Sequence, residues 1–354
     1  MINIFSLTFK ELSATLRRHH EKGDFHAAAI YRQVFKNGNT GFGELEEFKD
    51  SPELAANLMK EIRILSGNII DVNNDGALKF VTSLFDGNII ESVIIPSGNR
   101  TTLCVSSQVG CRWKCAFCAT GALGLKRDLS VEEIVGQVFS AGFTLKRSIN
   151  NIVFMGMGEP FDNFDNVIQS IRVISDQHGF NIAPSHITVS TSGHADGIAR
   201  LRFPDLKNLR IAVSVNAPVD NLRSRLMPIN RLFPLDRLKE ELKLYPLGKR
   251  GVFFIEYVLF SGINDTREMA EALAVYLKGL PVRINIIPCN TIESLPFTPP
   301  STEHVKLFCS WLAAKKLFVR IRQPNGRGIM AACGQLCASI DRHDMHKCPS
   351  RIIN

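Results

Sequence analysis

The sequence has little that would place it in a membrane or outside the cell. No apolar run reaches the roughly 20 residues needed to span a bilayer. The N-terminus, "MINIFSLTFKELSATLRRHH", lacks the layout of a signal peptide, because polar and charged residues interrupt its apolar ones. Short-period repeats and low-complexity tracts are missing as well. We therefore expect a cytosolic protein. The cysteine count is not even: the nine cysteines cannot all pair, and a reducing compartment does not favour a disulfide framework. Two C-x2-C knuckles, the usual frame of a structural zinc site, are also lacking. Clustered cysteines in such a chain are expected to bind metal or do chemistry.

What is present is a 354-residue chain that is 45% hydrophobic, with room for one large core and a smaller domain. The formal charge of +8 favours a polyanionic partner such as RNA, although a solvated basic surface would give the same count. The pairs Lys126-Arg127, Lys146-Arg147, Lys249-Arg250 and Lys315-Lys316 each read singly as solvated surface.

Residues 1–66 read as a helical accessory domain suited to touching RNA. Apolar residues recur at helical spacing in Phe9–His20, Asp24–Phe35 and Ser51–Leu65, and Ser51-Pro52 is a helix-start signal. Residues 67–100 read as a β-hairpin extension, in which "ALKFVTSLF" and "NIIESVIIP" flank Asp86-Gly87, a two-residue turn signal. From 101 to 337, apolar β-rich runs alternate with helical stretches. The runs are "TTLCVSSQV", "NIVFMGM", "HITVSTS", "LRIAVSVNAP", "VFFIEYVLF", "VRINIIP" and "LFVRIRQ". The helices are Val131–Phe143, Asp165–His178, Leu235–Tyr245, Glu268–Leu277 and Thr302–Lys315, the first opening with Ser130 and Glu133 at capping-box spacing. Repeated β-α units mean an α/β fold with a parallel sheet, and about six units would close all or part of a barrel. Sites in such folds form at the carboxyl ends of the strands. Residues 338–354 read as a polar tail.

The stretch "TLCVSSQVGCRWKCAFCATG" (102–121) holds Cys104, Cys111, Cys115 and Cys118. The last three are spaced C-x3-C-x2-C directly after a strand, so they fall in a loop at its carboxyl end. Three thiolates that close together can fold around one soft-metal object. A zinc ion would need a fourth ligand from afar. An iron–sulfur cubane normally takes four cysteines, and with three it leaves one iron open for a substrate or cofactor.

This spacing, with aromatic Phe117 just before the last cysteine, resembles the signature of the radical S-adenosylmethionine (SAM) enzymes. The resemblance implies a partial (β/α)6 barrel and a 4Fe–4S cluster on Cys111, Cys115 and Cys118. Its open iron would chelate SAM, and electron transfer would split the sulfonium to a 5′-deoxyadenosyl radical. "MGMGEP" (155–160) resembles the motif that holds the methionine amino group, which points to Gly158 and Glu159; taken alone it reads as a tight turn with an exposed acid. "STSG" (190–193), "SVNAP" (214–218) and "IPCN" (287–290) end strands and offer small polar groups for a nucleoside or a carboxylate, which points to Ser190, Ser214, Val215, Asn216 and Asn290.

Three longer features narrow the resemblance: "TLCVSSQVGC", the series "MGMGEP", "STSG" and "LMPIN" (226–230), and "AACGQL" (331–336). Together they resemble the RlmN/Cfr family of radical SAM RNA methyltransferases, from about residue 8 to about residue 337. The resemblance implies two SAM molecules per turnover and an adenine ring carbon as the target, in 23S rRNA with tRNA as a further candidate. Cys333 would carry the methyl group, Cys104 would release the product through a transient disulfide, and Glu91 would be the proton acceptor. Carbon-2 (RlmN-type) is favoured over carbon-8 (Cfr-type). A reducing partner such as flavodoxin or ferredoxin, a monomer and no membrane are further expectations.

Each residue also has a plainer reading. Cys104 reads as a buried core residue, Cys333 as a loop cysteine and Glu91 as an exposed strand acid. Cys289, Cys309, Cys337 and Cys348 read as structural or exposed thiols. Departures from the family pattern are Asn216, where histidine is usual, Met330, where an acid is usual, and "RQPNGR" (322–327), a loop expected to face RNA. A radical enzyme acting on a small molecule or peptide, and a non-enzymatic iron–sulfur RNA regulator, are the rival classes.

Overall fold

The computed structural model describes residues 1–64, 67–203, 206–292, 295–322, 330 and 333–336. Cys337, Cys348, residues 323–327 of the expected RNA-facing loop and the tail 338–354 lie outside the described residues.

Three helices open the chain: α1 (Phe9–His20), α2 (Asp24–Phe35) and α3 (Pro52–Glu61). Thr8 caps α1 in a capping box with Glu11, and Pro52 takes the first turn of α3 as expected. The third helix is shorter than its periodicity predicts. It stops at Glu61 because Ile62–Arg63 pairs in parallel with Ile2–Asn3. Phe5 lies between Phe35 of α2 and Phe139, at ring distances of 5.6 and 5.1 Å, so these helices share the main core.

Ten strands form one sheet, and their order across it is their order along the chain. They are β1 (Asn68–Asp75), β2 (Ala77–Ser83), β3 (Ile89–Ser97), β4 (Arg100–Cys104), β5 (Asn151–Phe154), β6 (Ile187–Thr191), β7 (Arg210–Ser214), β8 (Phe253–Leu259), β9 (Val282–Pro288) and β10 (Val319–Ile321). The first four pair antiparallel, and β4 to β10 pair in parallel. Six helices make the crossovers between successive parallel strands: α4 (Val131–Phe139), α5 (Phe164–Ser175), α6 (Ala195–Arg200), α7 (Leu235–Leu244), α8 (Arg267–Leu277) and α9 (Thr302–Ala314). The fold is thus the expected α/β arrangement of six β-α units, and the sheet is open: among the described residues β10 pairs only with β9.

Two local expectations change. The segment 67–100 is not a lone hairpin, because β1 adds a third strand and β3 joins β4, merging it into the main sheet. Its turn is not a two-residue one either. Leu84 N–H still donates to Asn88 at 2.8 Å, so Phe85, Asp86 and Gly87 form a three-residue loop, with Gly87 at φ +78°. A left-handed residue at that third position is the usual geometry of such loops.

Strand register decides which side chains meet. One face carries Ile152, Val189, Ile211, Val213, Ile255 and Ile284, all essentially inaccessible and packed in the main core. Each such burial is worth about 1.5–3 kcal/mol. On the other face Cys104 sits opposite Val93 of β3, two residues from Glu91, and opposite Val153 of β5. The same face continues through Met155, Ser190 and Ser214 to Glu256, which pairs with Ser214. A polar line therefore crosses one side of an otherwise apolar sheet. No helix among the described residues is long and apolar enough to cross a membrane.

Candidate active site

Beyond Cys104 the chain enters "VSSQVGC", and its polar residues fasten one loop to the next. Ser106 Oγ accepts the Met157 N–H at 2.9 Å and donates to the Glu91 carbonyl at 2.7 Å. Ser107 N–H donates to the Met157 carbonyl at 2.8 Å. Gln108 Oε1 accepts the Glu159 N–H at 2.9 Å, while its amide donates to Asp128 at 2.7 Å. The loop after β4 and the "MGMGEP" loop after β5 are thereby one unit. Gly158 is required there: its φ is +101°, and a Cβ would stand 2.6 Å from the Gln108 side chain.

Glu159 is not an exposed acid. It is buried, and its Oε2 accepts both the N–H and the hydroxyl of Ser192 at 2.7 Å each. Burial raises its pKa above the usual carboxylate value, against the pull of those Ser192 bonds. Ser192 belongs to "STSG", and that loop is held in turn by Arg223, a fully buried residue outside the expected set. The Arg223 guanidinium donates to the carbonyls of Ser192 (2.7 Å), Ser214 (3.0 Å) and Val215 (3.1 Å), and to Asn230 Oδ1 (2.7 Å). It ties the ends of β6 and β7 together, and "LMPIN" supplies Asn230 for the purpose. Planar, forked donors suit four converging acceptors.

Cys111, Cys115 and Cys118 line one cavity together with Gly158, Glu159 and Ser190; Ser214, Asn216, Asn290 and Cys333 line it too. Burial pushes the Cys111 thiol up to about 12 and raises Cys115 and Cys118 as well; Cys118 adds to the rise at Cys111 and Cys115, and Cys333 adds to that at Cys118. Among the described residues no three His, Cys, Asp or Glu side chains converge on a single-ion site. Three thiols on the wall of one cavity are the donor set of a 4Fe–4S cubane that leaves one iron open. Val215 does not line the cavity; its side chain is buried and its N–H is spent on the Glu256 carbonyl at 3.0 Å. Asn216 is tied to the protein at both ends of its amide: Oδ1 accepts the Val258 N–H at 2.8 Å and Nδ2 donates to Met227 Sδ at 3.2 Å, at a backbone φ of +55°. Asn290 donates to the Cys333 carbonyl at 3.1 Å, and its Oδ1 is buried without a hydrogen-bond partner among the described residues.

The segment with Cys333 is seated against the cluster loop. The Gly334 carbonyl accepts the Ala119 N–H at 2.8 Å, and the Leu336 carbonyl accepts the Thr120 hydroxyl. Cys333 is exposed toward the cavity and Cys104 is buried; both are free thiols. Burial pushes the Cys104 thiol up to about 12, repulsion from Cys333 adds to this, and Arg322 works against it. Arg322, the first residue of the loop expected to face RNA, lines the cavity, with Nη1 3.7 Å from Glu256. Glu91 corrects the reading of an exposed strand acid: it is wholly inaccessible and paired with Lys79 at 3.1 Å. It does not line the cavity, but register puts it on the Cys104 face. Cys289 is a buried cavity-lining residue, and Cys309 is half-buried on α9.

Sequence reasoning missed Lys79, Ser192, Arg223, Glu256 and Arg322. Three left a signal: Arg223 stands three positions before "LMPIN", Ser192 lies within "STSG" and Arg322 opens "RQPNGR"; Lys79 and Glu256 read as ordinary strand residues.

Comparison with known proteins places this geometry. The pattern of the radical SAM superfamily matches residues 105–274. The "Probable dual-specificity RNA methyltransferase RlmN 1" of Protochlamydia amoebophila is 40% identical over 339 residues, covering 95% of this chain and 94% of that protein. The "Dual-specificity RNA methyltransferase RlmN" of Geobacter sulfurreducens is 40% identical over 343 residues, covering 96% and 93%. A crystal structure of a radical SAM methyltransferase from Sphaerobacter thermophilus superimposes with a TM-score of 0.88 at 34% identity, covering 96% of this chain and all of that one. Superfamily membership brings with it a 4Fe–4S cluster and SAM. From its cysteine loop to its seated C-terminal segment, the chain belongs to the RlmN family of radical SAM RNA methyltransferases.

Proposed function

We propose that this protein methylates carbon-2 of an adenine in RNA, with 23S rRNA as substrate and tRNA as a second one, and that Cys333, Cys104 and Glu91 carry the transfer. The observation that supports this reading most is the placement of Cys333, which lines the cavity of the three clustered cysteines while its charge bears on Cys104. The RlmN name of the relatives favours carbon-2 over the Cfr-type carbon-8 outcome.

Cys111, Cys115 and Cys118 would hold the cluster through three thiolates. Gly158 and Glu159 would hold the amino group of SAM, and Ser190, Ser214, Asn216 and Asn290 its remaining polar groups; Val215 would contribute only by keeping the β7 end in shape. A reduced cluster with SAM held at this site would supply a 5′-deoxyadenosyl radical, the acceptor of the hydrogen atom in the transfer. Cys333, as a thiolate, would first displace the methyl group from the sulfonium of a SAM molecule, releasing S-adenosylhomocysteine. After that methyl loses a hydrogen atom, its carbon joins the adenine ring, leaving protein and RNA bridged through sulfur. The adduct radical gives up one electron, which the oxidised cluster would take back, and the ring carbon gives up its proton to Glu91. Cys104 then attacks the Cys333 sulfur. A Cys104–Cys333 disulfide forms, the carbon–sulfur bond breaks, and the released carbon is protonated to a methyl group. A cellular thiol reduces the disulfide. Flavodoxin or ferredoxin is the class of electron donor this requires, and we take the working unit to be a monomer.

The test is nucleoside mass spectrometry of RNA from cells with and without the gene. Loss of 2-methyladenosine is expected. Loss of 8-methyladenosine would make the enzyme Cfr-type, and no change in any methyladenosine would end the reading. Purified protein should also carry one extra methyl group on Cys333, which the rival small-molecule reading does not require.

A further inference from the structure

The β2–β3 hairpin runs past the mouth of the site. Because β3 is antiparallel to β4, its N-terminal end lies at the carboxyl ends of the parallel strands, where the cysteine loop begins. Val93 faces Cys104, and the Ser83–Ile89 pair lies four residues further along. At about 3.3 Å per residue, the tip therefore stands roughly 13 Å beyond Cys104. Phe85 is at that tip and is 68% exposed.

An exposed phenylalanine by itself means little. Phe25, Phe203 and Phe318 are exposed too, but Phe25 packs edge-on against His26, while Phe203, in the connection from α6 to β7, and Phe318, with Arg283 just before β10, precede parallel strands and so belong to the opposite end of the sheet. Phe85 differs in how its loop is held. Asp86 accepts from Arg127 Nε at 2.6 Å, and Asn88 accepts from Lys126 Nζ at 3.2 Å. Both partners lie on Leu125–Asp128, the short strand paired with Gln108–Gly110, which leads into Cys111. Arg127 is fixed again by Glu133, through bonds of 2.7 and 2.9 Å. The tip is thus clamped to the cysteine loop rather than free to fold Phe85 inward. Lys126 spends one bond on a neutral amide and pairs with no carboxylate among the described residues, so its charge stays available.

We propose that the clamped hairpin tip is an RNA-contacting element, in which Phe85 stacks on an unpaired base beside the target adenine and Lys126 meets a neighbouring phosphate. It rests on the reading of the protein as an RNA methyltransferase. Sequence-specific RNA recognition targets unstacked bases, which stack on aromatic rings. A rigid ring beside a free cation is a fit for a nucleotide and not for an apolar peptide. The hairpin also explains why the +8 charge need not form one continuous groove.

The experiment measures binding of the anaerobically prepared holoprotein to an unmodified 23S rRNA transcript over a series of salt concentrations. Phe85→Ala is expected to weaken binding by about 5- to 100-fold, the usual cost of one lost base–aromatic stack. Phe85→Trp should bind within about twofold of the parent, and Phe85→Leu should be as weak as Phe85→Ala. Lys126→Gln should reduce the slope of log K against log salt by about 1. Unfolding midpoints of all four variants report whether any loss is a folding defect, and Phe85→Trp keeps the test alive if Phe85→Ala unfolds. Parent-like binding by Phe85→Ala, or full binding by Phe85→Leu, overturns the stacking role while leaving the methyltransferase reading intact. Failure of the parent protein to bind the transcript overturns both.

Discussion

Lys79 Nζ lies 3.1 Å from Glu91 Oε1 inside the sheet, with side-chain exposures of 6% and 0%. A buried pair of this kind contributes little net stability, but losing one partner strands the other charge. Lys79→Met should therefore destabilise the protein by about 3–5 kcal/mol, and the double variant with Glu91→Gln should recover most of that. Chemical unfolding of both checks it. An additive double variant would mean that the pair does not act as a unit. Glu91→Gln alone should keep the methyl group on Cys333 yet lower product formation by at least about 100-fold, the usual worth of a positioned base.

Cys104 is buried on the same sheet face as Glu91. Without its thiol the sulfur bridge between Cys333 and RNA has no route to resolution. Cys104→Ala should accumulate a covalent protein–RNA adduct, seen as a nuclease-sensitive shift on a denaturing gel, with the added mass on Cys333. A Cys104→Ala protein that turns over normally would remove Cys104 from the mechanism.

The pH dependence of that step follows from the same burial, which pushes the Cys104 thiol up to about 12. Only the thiolate attacks, and below the pKa its fraction rises about tenfold per pH unit. Adduct decay in the parent protein should therefore speed up between about pH 7 and 9, with bridged species accumulating at the acidic end. A flat profile would mean that the thiolate is already formed in the bridged complex.

Arg223 decides whether the ends of β6 and β7 stay together. Arg223→Met would leave the carbonyls of Ser192, Ser214 and Val215 without their donor. At about 1–3 kcal/mol for each buried unsatisfied group, a loss of at least about 3 kcal/mol is expected. Lysine should rescue little of it, because a point charge cannot reproduce the fork. SAM binding, measured by calorimetry, should weaken together with stability, since Ser192 also holds Glu159.

Much of this molecule is legible locally. The alternation of apolar β runs with helical stretches predicts six β-α units, because each unit is a continuous segment with its own period. Ser130 and Glu133 read as a capping box, and Glu133 does accept the Ser130 N–H at 3.0 Å. The hairpin misled because Asp86-Gly87 is a turn signal in either loop length, and only pairing with the far strand sets that length. Glu91 misled because an acid on a strand carries no mark of burial until Lys79 of the neighbouring strand is beside it.

The sequence by itself determined the chemistry that is contiguous along the chain: three cysteines in one loop, glycines where backbone must come close, and strands that end in small polar groups. Tertiary structure alone decided which of the scattered residues meet. Cys333 lies more than 200 positions from the cysteine loop and reaches it through hydrogen bonds from Ala119 and Thr120. Lys79, Glu91 and Cys104 share a face because of antiparallel register, and Arg223 reaches the ends of β6 and β7 from the short helix Asp220–Leu226 that follows β7. Register and crossover geometry are properties of the whole sheet, and a one-residue slip would turn Lys79, Glu91 or Cys104 to the other side.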